Sequence, residues 1–304
     1  MEKKIPLIVI AGPTGIGKSM LAMELAQKLG TDIISADSRQ IYRDLDIGTA
    51  KPSAEEQKLV KHHMIDWCAP TTTFTVAEYT SLVKPLIESI YQSGKIPLMA
   101  GGTGLYIKSL IEGFTIPEVE ALPEFRQKLT EEAQHSGNQV LYERAKSIDP
   151  EAMLKIHEND LFRIIRVLEV YESSGKPFSS LKKRSAELQY DLTYIGLDLE
   201  REKLYHRIGL RVDKMIDGGL PDEVKMIIEK YGNDLKLLKT INYREIRDFI
   251  KGDTSLEEAT ELMKKDTRNF AKRQLTWFRN DPNIKWEKFE SIDDVKRIIA
   301  KILK

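Results

Sequence analysis

Residues 9–26, VIAGPTGIGKSMLAMELA, place a glycine-rich loop between a predicted strand and a predicted helix. Gly12, Gly17, Lys18 and Ser19 fit the pattern G-x-x-x-x-G-K-[ST], in the strand–loop–helix context that this pattern requires. The glycines let backbone N–H groups turn toward a phosphate, and the helix N-terminus adds positive potential. The lysine would reach the outer phosphate and the serine would ligate Mg²⁺. The stretch predicts a phosphate site but does not identify the phosphate compound.

Strands alternate with helices on both sides of this loop. The runs PLIVIAG, DIISADS and IPLMAGG have strand length, and each is followed by turn or helix signals. This alternation predicts an α/β fold with a P-loop-type core, in which helices flank a parallel sheet.

The pattern changes in the middle of the chain. Residues 113–189 contain helical segments and no strong apolar strand, and YDLTYIGLDL then restores a strand at 190–199. We therefore expect an all-helical domain, 113–189, inserted into a core formed by 1–112 and 190–304. After the restored strand, we expect the remainder of the chain to be helical.

Composition limits the class of protein. Lys plus Arg equals Asp plus Glu, 47 each, so a nucleic-acid surface would need its basic residues concentrated on one face. One cysteine, Cys68, excludes an internal disulfide and a cysteine-based metal cage, and fits a reducing cytoplasm. No run approaches the roughly 18–20 apolar residues of a membrane helix, and the short apolar N-terminal run is better explained as a buried strand than as a signal peptide.

The position of the acidic residue distinguishes this chain from ordinary nucleotide hydrolases. Those enzymes usually hold Mg²⁺ with an acid at the end of a neighbouring apolar strand. Here IPLMAGG ends in glycines, and Asp37 stands instead at the end of DIISADS. Asp37 would lie in the ligand crevice of an open α/β sheet, or would cap a turn; the motif alone leaves both open.

Longer motifs carry a family resemblance. They are ISADSRQIYRDLDIGTAKP, GGTGLYIKSL, HHMID, FTVAEY, NDLFRIIRVLEVYESSGKP and TRNFAKRQLTWFRND, in order along nearly the whole chain. Together with the glycine-rich loop they resemble the tRNA dimethylallyltransferases, also called tRNA isopentenyl transferases, of the bacterial type without a zinc finger.

The resemblance implies a reaction. The loop would hold dimethylallyl diphosphate rather than ATP, with Mg²⁺ on Ser19. The dimethylallyl group would pass to N6 of the adenosine at tRNA position 37, just 3′ of the anticodon, and diphosphate would leave. The implied partners are the prenyl donor and the tRNA anticodon stem-loop. We expect a cytoplasmic monomer without membrane attachment.

The resemblance also implies residue roles. Asp37 matches the general base, Thr103 a residue near the reacting adenosine, and Arg211 an arginine that holds the diphosphate. The implied diphosphate-binding residues are Gly12, Pro13, Thr14, Gly15, Ile16, Gly17, Lys18 and Ser19. The implied tRNA-binding residues are Asp37, Ser38, Arg39, Gln40, Thr103, Arg126, Asp160, Leu161, Phe162, Arg163 and Ile164.

These roles suit the chemistry. Neutralising the developing charge would help an allylic carbon lose diphosphate. Adenine N6 must shed a proton as it attacks, and a carboxylate within hydrogen-bond reach would accept it. The base must also leave its stack, so we expect a channel entered by the base from one side and by the diphosphate from the other.

Several further segments remain open. LKKRS and KTINYR are candidate RNA contacts, although Asn242 in the second stands where the family commonly has glycine. In TRNFAKRQLTWFRND we expect Phe270, Trp277 and Phe278 to be structural, because aromatic residues at helical spacing are more often core. The basic residues there remain candidate RNA or phosphate contacts; they are Arg268, Lys272, Arg273 and Arg279. His62 and His63 are adjacent and lack metal-ligand spacing.

Three other functions explain parts of the sequence. A P-loop kinase of a small metabolite would use the helical insertion as a lid and would bind ATP. A non-catalytic RNA-binding protein with a relic loop would not need Asp37. A related isopentenyltransferase would use a free adenosine phosphate, although the long insertion favours a macromolecular acceptor by analogy with the family.

Overall fold

A computed structural model describes residues 4–113, 122–181 and 188–303. The chain divides into two compact units, Met1–Lys108 with Tyr190–Lys304, and Ser109–Gln189. We call them the sheet unit and the helical unit. Within the described residues, no helix is both long enough and apolar enough to cross a membrane.

The sheet unit is built on a parallel β-sheet. Its strands are β1 (Pro6–Ala11), β2 (Ile33–Ala36), β3 (His62–His63), β4 (Leu98–Gly101), β5 (Asp191–Asp198) and β6 (Lys285–Lys288). Their order across the sheet is β3-β2-β4-β1-β5-β6, and every neighbouring pair is parallel. The predicted parallel α/β core is confirmed.

Two edge strands were missed from the sequence. The prediction that the chain is helical after the strand at 190–199 was wrong for β6, which pairs with β5 from Ile195↔Lys285 to Asp198↔Lys288. Its sequence KWEK is polar because it forms an edge of the sheet and is only partly buried. At the other edge, β3 has two residues, too few for a periodic signal.

Helices cover the sheet and make up the helical unit. Those among the described residues are α1 (Lys18–Leu29), α2 (Ala54–Leu59), α3 (Val76–Gln92), α4 (Gly104–Ile111), α5 (Pro123–Ser136), α6 (Asn138–Ile148), α7 (Pro150–Met153), α8 (Leu161–Ser174), α9 (Phe178–Leu181), α10 (Arg201–Asp217), α11 (Leu220–Tyr231), α12 (Tyr243–Lys251), α13 (Leu256–Arg279) and α14 (Ile292–Ile302). A short 3₁₀ helix occupies Lys236–Lys239.

Local sequence explains where the main helices begin and end. Thr75 caps α3 in a capping box with Glu78, and Ser255 does the same for α13 with Glu258. α8 ends at Gly175, whose left-handed backbone (φ +66°) is typical of a helix C-terminus.

The core of the sheet unit fixes the glycine-rich loop. The strand β1 is buried along Leu7–Ala11, because it lies between β4 and β5 in the middle of the sheet. On one face, Leu21 and Leu25 of α1 pack with Ile8 and Ile10 of β1. The carboxyl ends of β1, β2 and β4 therefore meet at one edge of the sheet, where ligands bind in open α/β folds.

The helical unit has its own core. Leu129 of α5, Leu141 and Ala145 of α6, and Ile164 and Leu168 of α8 are buried against one another. The apolar positions on these helices recur at helical spacing, which is why this region could be recognised as helical from sequence.

Candidate active site

The glycine-rich loop has the geometry of an anion site. Gly17 precedes α1 with φ +111°, and a Cβ there would lie 2.3 Å from the Phe289 ring, so only glycine fits. No side chain caps the first turn of α1, which leaves its N–H groups for a ligand. The Nζ of Lys18 folds over the loop and donates to the Pro13 carbonyl at 2.8 Å.

Arg207 of α10 supports this loop from a distant part of the chain. Its guanidinium donates to the Ile16 carbonyl at 3.0 Å and to the Glu290 carbonyl at 2.6 Å. It also lies 5.9 Å from the centre of the Phe289 ring. Sequence reasoning missed Arg207, because a single arginine on an amphipathic helix carries no signal of its target.

Asp37 follows β2 at the same edge of the sheet. Its Oδ1 accepts hydrogen bonds from the N–H groups of Arg39 at 2.8 Å and Gln40 at 3.4 Å. The side chain therefore caps a turn with one oxygen, and it also lines the cavity described next. The sequence left open whether Asp37 lies in the ligand crevice or caps a turn, and the side chain does both.

Thr103 lies beside Asp37 because β2 and β4 are neighbours. Its N–H donates to the Ala36 carbonyl at 3.0 Å, and its Oγ1 accepts from the Ser38 N–H at 3.0 Å. These bonds hold the turn after β4 against the turn after β2. They also leave the Thr103 hydroxyl hydrogen for a ligand in the cavity.

A central cavity of about 410 Å³ collects the predicted catalytic side chains. Lys18, Asp37, Thr103 and Arg211 all line it. The cations in its lining are Lys18, Arg39, Arg211, Lys239, Arg244 and Arg273, against one carboxylate, Asp37. A chain with no net charge thus concentrates positive charge in one cavity, which favours anionic ligands.

Burial lowers the pKa values of two cations in this cavity, Lys18 and Arg211. Burial and the nearby Arg211 lower the pKa of Lys18 to about 7, although Asp37 opposes the shift. Burial also lowers the pKa of Arg211, again opposed by Asp37. Its Nη2 donates to the Thr49 carbonyl at 3.4 Å. Both groups would gain from an anionic ligand, because its charge would offset the lost hydration.

A flanking cavity of about 440 Å³ adjoins the central one. Ser19, Gln40, Ala50, Ala100 and Arg211 line both cavities. The flanking cavity extends along apolar side chains that include Met23, Ile33, Ile47 and Met215. Ser19 and Arg211 thus stand between two adjoining cavities.

Two buried side chains that sequence reasoning missed hold the cavity walls. Gln274 of α13 accepts from the Thr14 N–H and donates to the Gly102 carbonyl, both at 2.9 Å. A Cβ at Gly102 would lie 2.4 Å from the Gln274 amide nitrogen. The sequence could have indicated Gln274, because it is a polar residue on the same helix face as the buried Ala271 and Phe278.

Glu223 of α11 holds a second loop, residues 46–48, of which Gly48 lines the central cavity. Its carboxylate accepts from the N–H groups of Asp46, Ile47 and Gly48 at 3.1, 2.6 and 3.1 Å, and from the Tyr243 hydroxyl at 2.8 Å. Nothing in the sequence links Glu223 to residues 46–48, which lie about 175 positions earlier.

Some predicted ligand residues are committed to internal contacts. Pro13 and Ile16 are buried, so only the backbone of Ile16 is available to a diphosphate. The Gln40 side chain accepts from Ser35 and donates to the carbonyls of Thr49 and Ala50. Ser19, by contrast, is exposed at the first turn of α1.

The helical unit places its predicted residues in two ways. Arg126 donates two hydrogen bonds to Glu169, whose side chain is fully buried, and Arg166 donates a third at 2.5 Å. Asp160 caps α8 through the Arg163 N–H at 3.2 Å. Phe162 is 76% exposed, whereas Ile164 is buried in the core of this unit.

The remaining candidates divide clearly. Residues 182–185 of LKKRS lie outside the described residues. KTINYR lines the central cavity. Phe278 is buried as predicted. Phe270 and Trp277 are 38% and 40% exposed, so the prediction of a core role was wrong for both, and Phe270 lines the cavity. In the described part of the chain, no cluster of three or more His, Cys, Asp or Glu could hold a metal ion.

Comparisons with known proteins agree on one family. The family model described as IPP transferase matches residues 40–281. The tRNA dimethylallyltransferase of Halothermothrix orenii is 48% identical, over 98% of this chain and 92% of that protein. The tRNA dimethylallyltransferase of Carboxydothermus hydrogenoformans is 46% identical, over 98% and 96% of the two chains.

Solved structures give the same result. The full-length tRNA isopentenylpyrophosphate transferase of Bacillus halodurans matches with a TM-score of 0.73 and 39% identity, over 99% of this chain and 96% of that one. A eukaryotic dimethylallyltransferase acting on tRNA matches with a TM-score of 0.77 and 28% identity, over 98% and 77% of the two chains. The predicted family is confirmed: the chain belongs to the IPP transferase family, together with the tRNA dimethylallyltransferases.

Proposed function

We propose that this protein transfers the dimethylallyl group from dimethylallyl diphosphate to N6 of the adenosine at tRNA position 37 and releases diphosphate. Family membership supports a transferase that acts on tRNA. The observation that carries the proposal is the shared cavity of Lys18, Asp37, Thr103 and Arg211, because it sets an anion site beside a carboxylate.

The diphosphate would bind at the glycine-rich loop. Free N–H groups at the start of α1, Lys18 and Arg211 would surround its oxygens, and they would stabilise the charge that develops as the allylic C–O bond breaks. The adjoining flanking cavity, which Ser19 and Arg211 also line, would give the donor an approach to the loop that the base does not use.

The adenine would enter the central cavity from the tRNA. Asp37 would accept the N6 proton as N6 bonds to the allylic carbon, and its turn-capping bonds would keep the carboxylate in place. The Thr103 hydroxyl would orient N6 or a diphosphate oxygen. Diphosphate would then leave as a unit.

Mg²⁺ fits this site. The exposed Ser19 hydroxyl lines both cavities, and Mg²⁺ is commonly bound by one or two protein oxygens together with substrate phosphates and water. The ion would add positive charge at the leaving diphosphate. Ser19 is the protein group we assign to it.

The anticodon stem-loop would be held by two sets of residues. In the sheet unit these are Ser38, Arg39 and Gln40 beside the cavity, where the exposed Arg39 side chain suits a phosphate. In the helical unit they are Arg126, whose side chain stays partly exposed beside Glu169, and residues 160–163, where Phe162 and Arg163 are exposed; the Ile164 side chain is buried in the core of this unit. We propose a monomer that works in the cytoplasm.

A transfer assay tests the proposal. The protein is mixed with Mg²⁺, unmodified tRNA with adenines after the anticodon, and either labelled dimethylallyl diphosphate or ATP labelled at its terminal phosphate. We expect prenyl label on N6 of one adenosine in the tRNA and no transfer from ATP. Phosphate transfer from ATP without prenyl transfer would make the loop that of a kinase.

Variants of two aspartates test the assigned base. Asp37→Asn should lower the transfer rate about 10²- to 10⁴-fold while tRNA affinity stays within a few-fold. Asp253→Asn, on an exposed turn away from the cavity, is the matched control and should leave the rate unchanged. Transfer by Asp37→Asn at the normal rate would remove Asp37 from the base role.

A further inference from the structure

Two aromatic rings line the central cavity, Tyr243 and Phe270. Tyr243 is 1% exposed, and its hydroxyl donates to Glu223 at 2.8 Å. Its ring packs so closely on Gly48 that a Cβ there would lie 2.5 Å from a ring carbon. Tyr243 is therefore committed to holding a loop and offers no free face to a ligand.

Phe270 differs on each count. It is 38% exposed, although apolar side chains of α13 such as Ala271 and Phe278 are buried. It shares the cavity lining with Asp37 and Thr103. An aromatic ring that stays partly exposed among charged groups suits a ligand that is itself flat and polar at its edge, such as a nucleobase.

Arg273 lies one turn further along α13. Its guanidinium lies over the Phe270 ring in a cation–π contact, 5.7 Å from the ring centre, and the side chain also lines the cavity. Within the described residues Arg273 has no ion pair, in contrast to Arg244 of the same cavity, which pairs with Glu245 and Asp266. A guanidinium without an ion pair that lies over this ring suits the phosphate of a nucleotide whose base also contacts the ring.

We propose that Phe270 is the surface on which the extruded target adenine stacks, and that Arg273 binds the phosphate of the same nucleotide. This inference rests on the proposed function, because it assigns the adenosine that function requires. A base taken from the stack of an RNA loop loses contacts on both faces, and an aromatic ring restores one of them.

Stacking is also compatible with the chemistry of the site. The ring contacts the face of the adenine, whereas N6 projects from its edge in the plane of the base. A base that lies on Phe270 therefore keeps N6 free to reach the Asp37 carboxylate. Phe270 is a binding residue in this scheme and takes no part in proton transfer.

Combining protein variants with abasic RNAs tests the stacking. Affinity is measured for an anticodon stem-loop RNA that is intact, abasic at the target adenosine, or abasic at either neighbouring position. Phe270→Leu keeps apolar volume but removes the ring, and Phe270→Tyr keeps the ring. Leu262→Ala, a similarly exposed position of α13 outside the cavity lining, is the control.

We expect the loss of the Phe270 ring to weaken RNA binding only when the target base is present. Phe270→Leu should weaken binding of the intact RNA by about tenfold, whereas Phe270→Tyr and Leu262→Ala should stay within about twofold. On the RNA without the target base, the penalty of Phe270→Leu should vanish. The KM for dimethylallyl diphosphate should not change, because the diphosphate site is untouched.

Three results would overturn the stacking role. They are no penalty on the intact RNA, an equal penalty on the RNA without the target base, and a penalty that vanishes only when a neighbouring base is missing. The proposed function is tested separately by the transfer assay. Failure of the wild-type protein to transfer a prenyl group in that assay would contradict the proposed function itself.

Salt dependence tests the phosphate contact. Arg273→Gln should reduce the slope of log affinity against log salt by about 0.7, the value for one phosphate contact on a single strand. Lys272→Gln removes the same charge from the next residue of α13, which is exposed and lies outside the cavity lining. It should leave the slope unchanged. An unchanged slope for Arg273→Gln would overturn this contact.

Discussion

The backbone N–H of Thr14 donates a 2.9 Å hydrogen bond to Oε1 of Gln274, which lies 260 residues later in the chain. The other end of the same amide donates to the Gly102 carbonyl at 2.9 Å. One buried side chain therefore joins the glycine-rich loop to the turn that carries Thr103. The relative position of the diphosphate site and the adenosine site depends on this amide.

Replacing that amide should damage both stability and donor binding. Gln274→Leu leaves the Thr14 N–H and the Gly102 carbonyl without partners, and each buried orphan costs about 1–3 kcal/mol. We expect the free energy of unfolding to fall by at least about 1 kcal/mol and the donor KM to rise. Urea unfolding and steady-state kinetics measure these. Gln139→Leu, on the exposed face of α6, is the control, and equal behaviour of the two variants would contradict the role.

Donor affinity should depend on pH through Lys18. Burial and Arg211 lower the pKa of this ammonium to about 7 in the free protein, so it loses its proton as pH rises through that value. A bound diphosphate favours the charged form and raises the pKa, so binding takes up a proton. We expect affinity to weaken above about pH 7, by up to about tenfold per pH unit.

An arginine variant separates this effect from other titrations. Lys18→Arg keeps a positive charge at every pH in question. Its donor affinity should therefore lose the decline that wild-type shows above about pH 7. Calorimetry in buffers of different ionisation enthalpy gives the protons taken up on binding. A wild-type protein that takes up no proton near pH 7 would contradict the lowered pKa.

Glu223 should be essential to the loop at residues 46–48. Glu223→Gln replaces one carboxylate oxygen with an NH₂ group that cannot accept, so a backbone N–H or the Tyr243 hydroxyl loses its partner. We expect a loss of about 1–3 kcal/mol in the free energy of unfolding. Asp222→Asn, at the neighbouring exposed position, should have no measurable effect. Thermal unfolding of both variants settles the comparison.

The backbone at Asn242 has a conformation that favours glycine. Its φ is +76° and its ψ −37°, a conformation that side chains other than glycine strain to adopt. Its amide compensates by donating to the Gly48 carbonyl at 2.8 Å. Asn242→Ala and Asn242→Gly both lose this bond, but only glycine relieves the strain.

The prediction concerns which of these two variants has the larger free energy of unfolding. Asn242→Ala should be less stable than Asn242→Gly by about 1 kcal/mol, which is backbone strain less the extra entropy of glycine in the unfolded chain. Urea midpoints with a common m-value measure the difference. Equal midpoints would mean that the backbone at this position carries no strain.

The sequence predicted what depends on local pattern. The loop at 12–19, the strand that ends at Asp37 and the helical region between two α/β segments each have a signal within a few residues. The resemblance added Thr103 and Arg211, which no local pattern identifies. Lys18, Asp37 and Thr103 line one cavity because parallel strands end at the same edge of a sheet, and Arg211 of α10 completes this part of the lining.

What the sequence did not predict depends on tertiary contacts. Arg207, Glu223 and Gln274 act on loops roughly 170 to 260 positions away, so nothing near them in the chain indicates their targets. The edge strand β6 is polar because one side is open to solvent. Phe270 was expected in the core because helical spacing gives the face of a side chain but not what covers that face.

The last prediction concerns Glu169 in the helical unit. Burial alone would raise the pKa of this carboxyl, but bonds from Arg126, the Leu122 N–H and Arg166 outweigh burial and lower it to about 2. A carboxyl with a lowered pKa stabilises the fold at pH values above 4.5, its pKa in the unfolded chain. This contribution is lost as pH falls from about 4.5 toward 2.

Hydrogen exchange of α5 and α8 amides in the full chain should show this loss of stability, on the order of 2 kcal/mol. Glu169→Gln should exchange faster at neutral pH and lose the pH dependence. Glu172→Gln, on the exposed face of α8, should behave as wild-type, and a wild-type profile for Glu169→Gln would show that the Arg126 pair does not stabilise this unit.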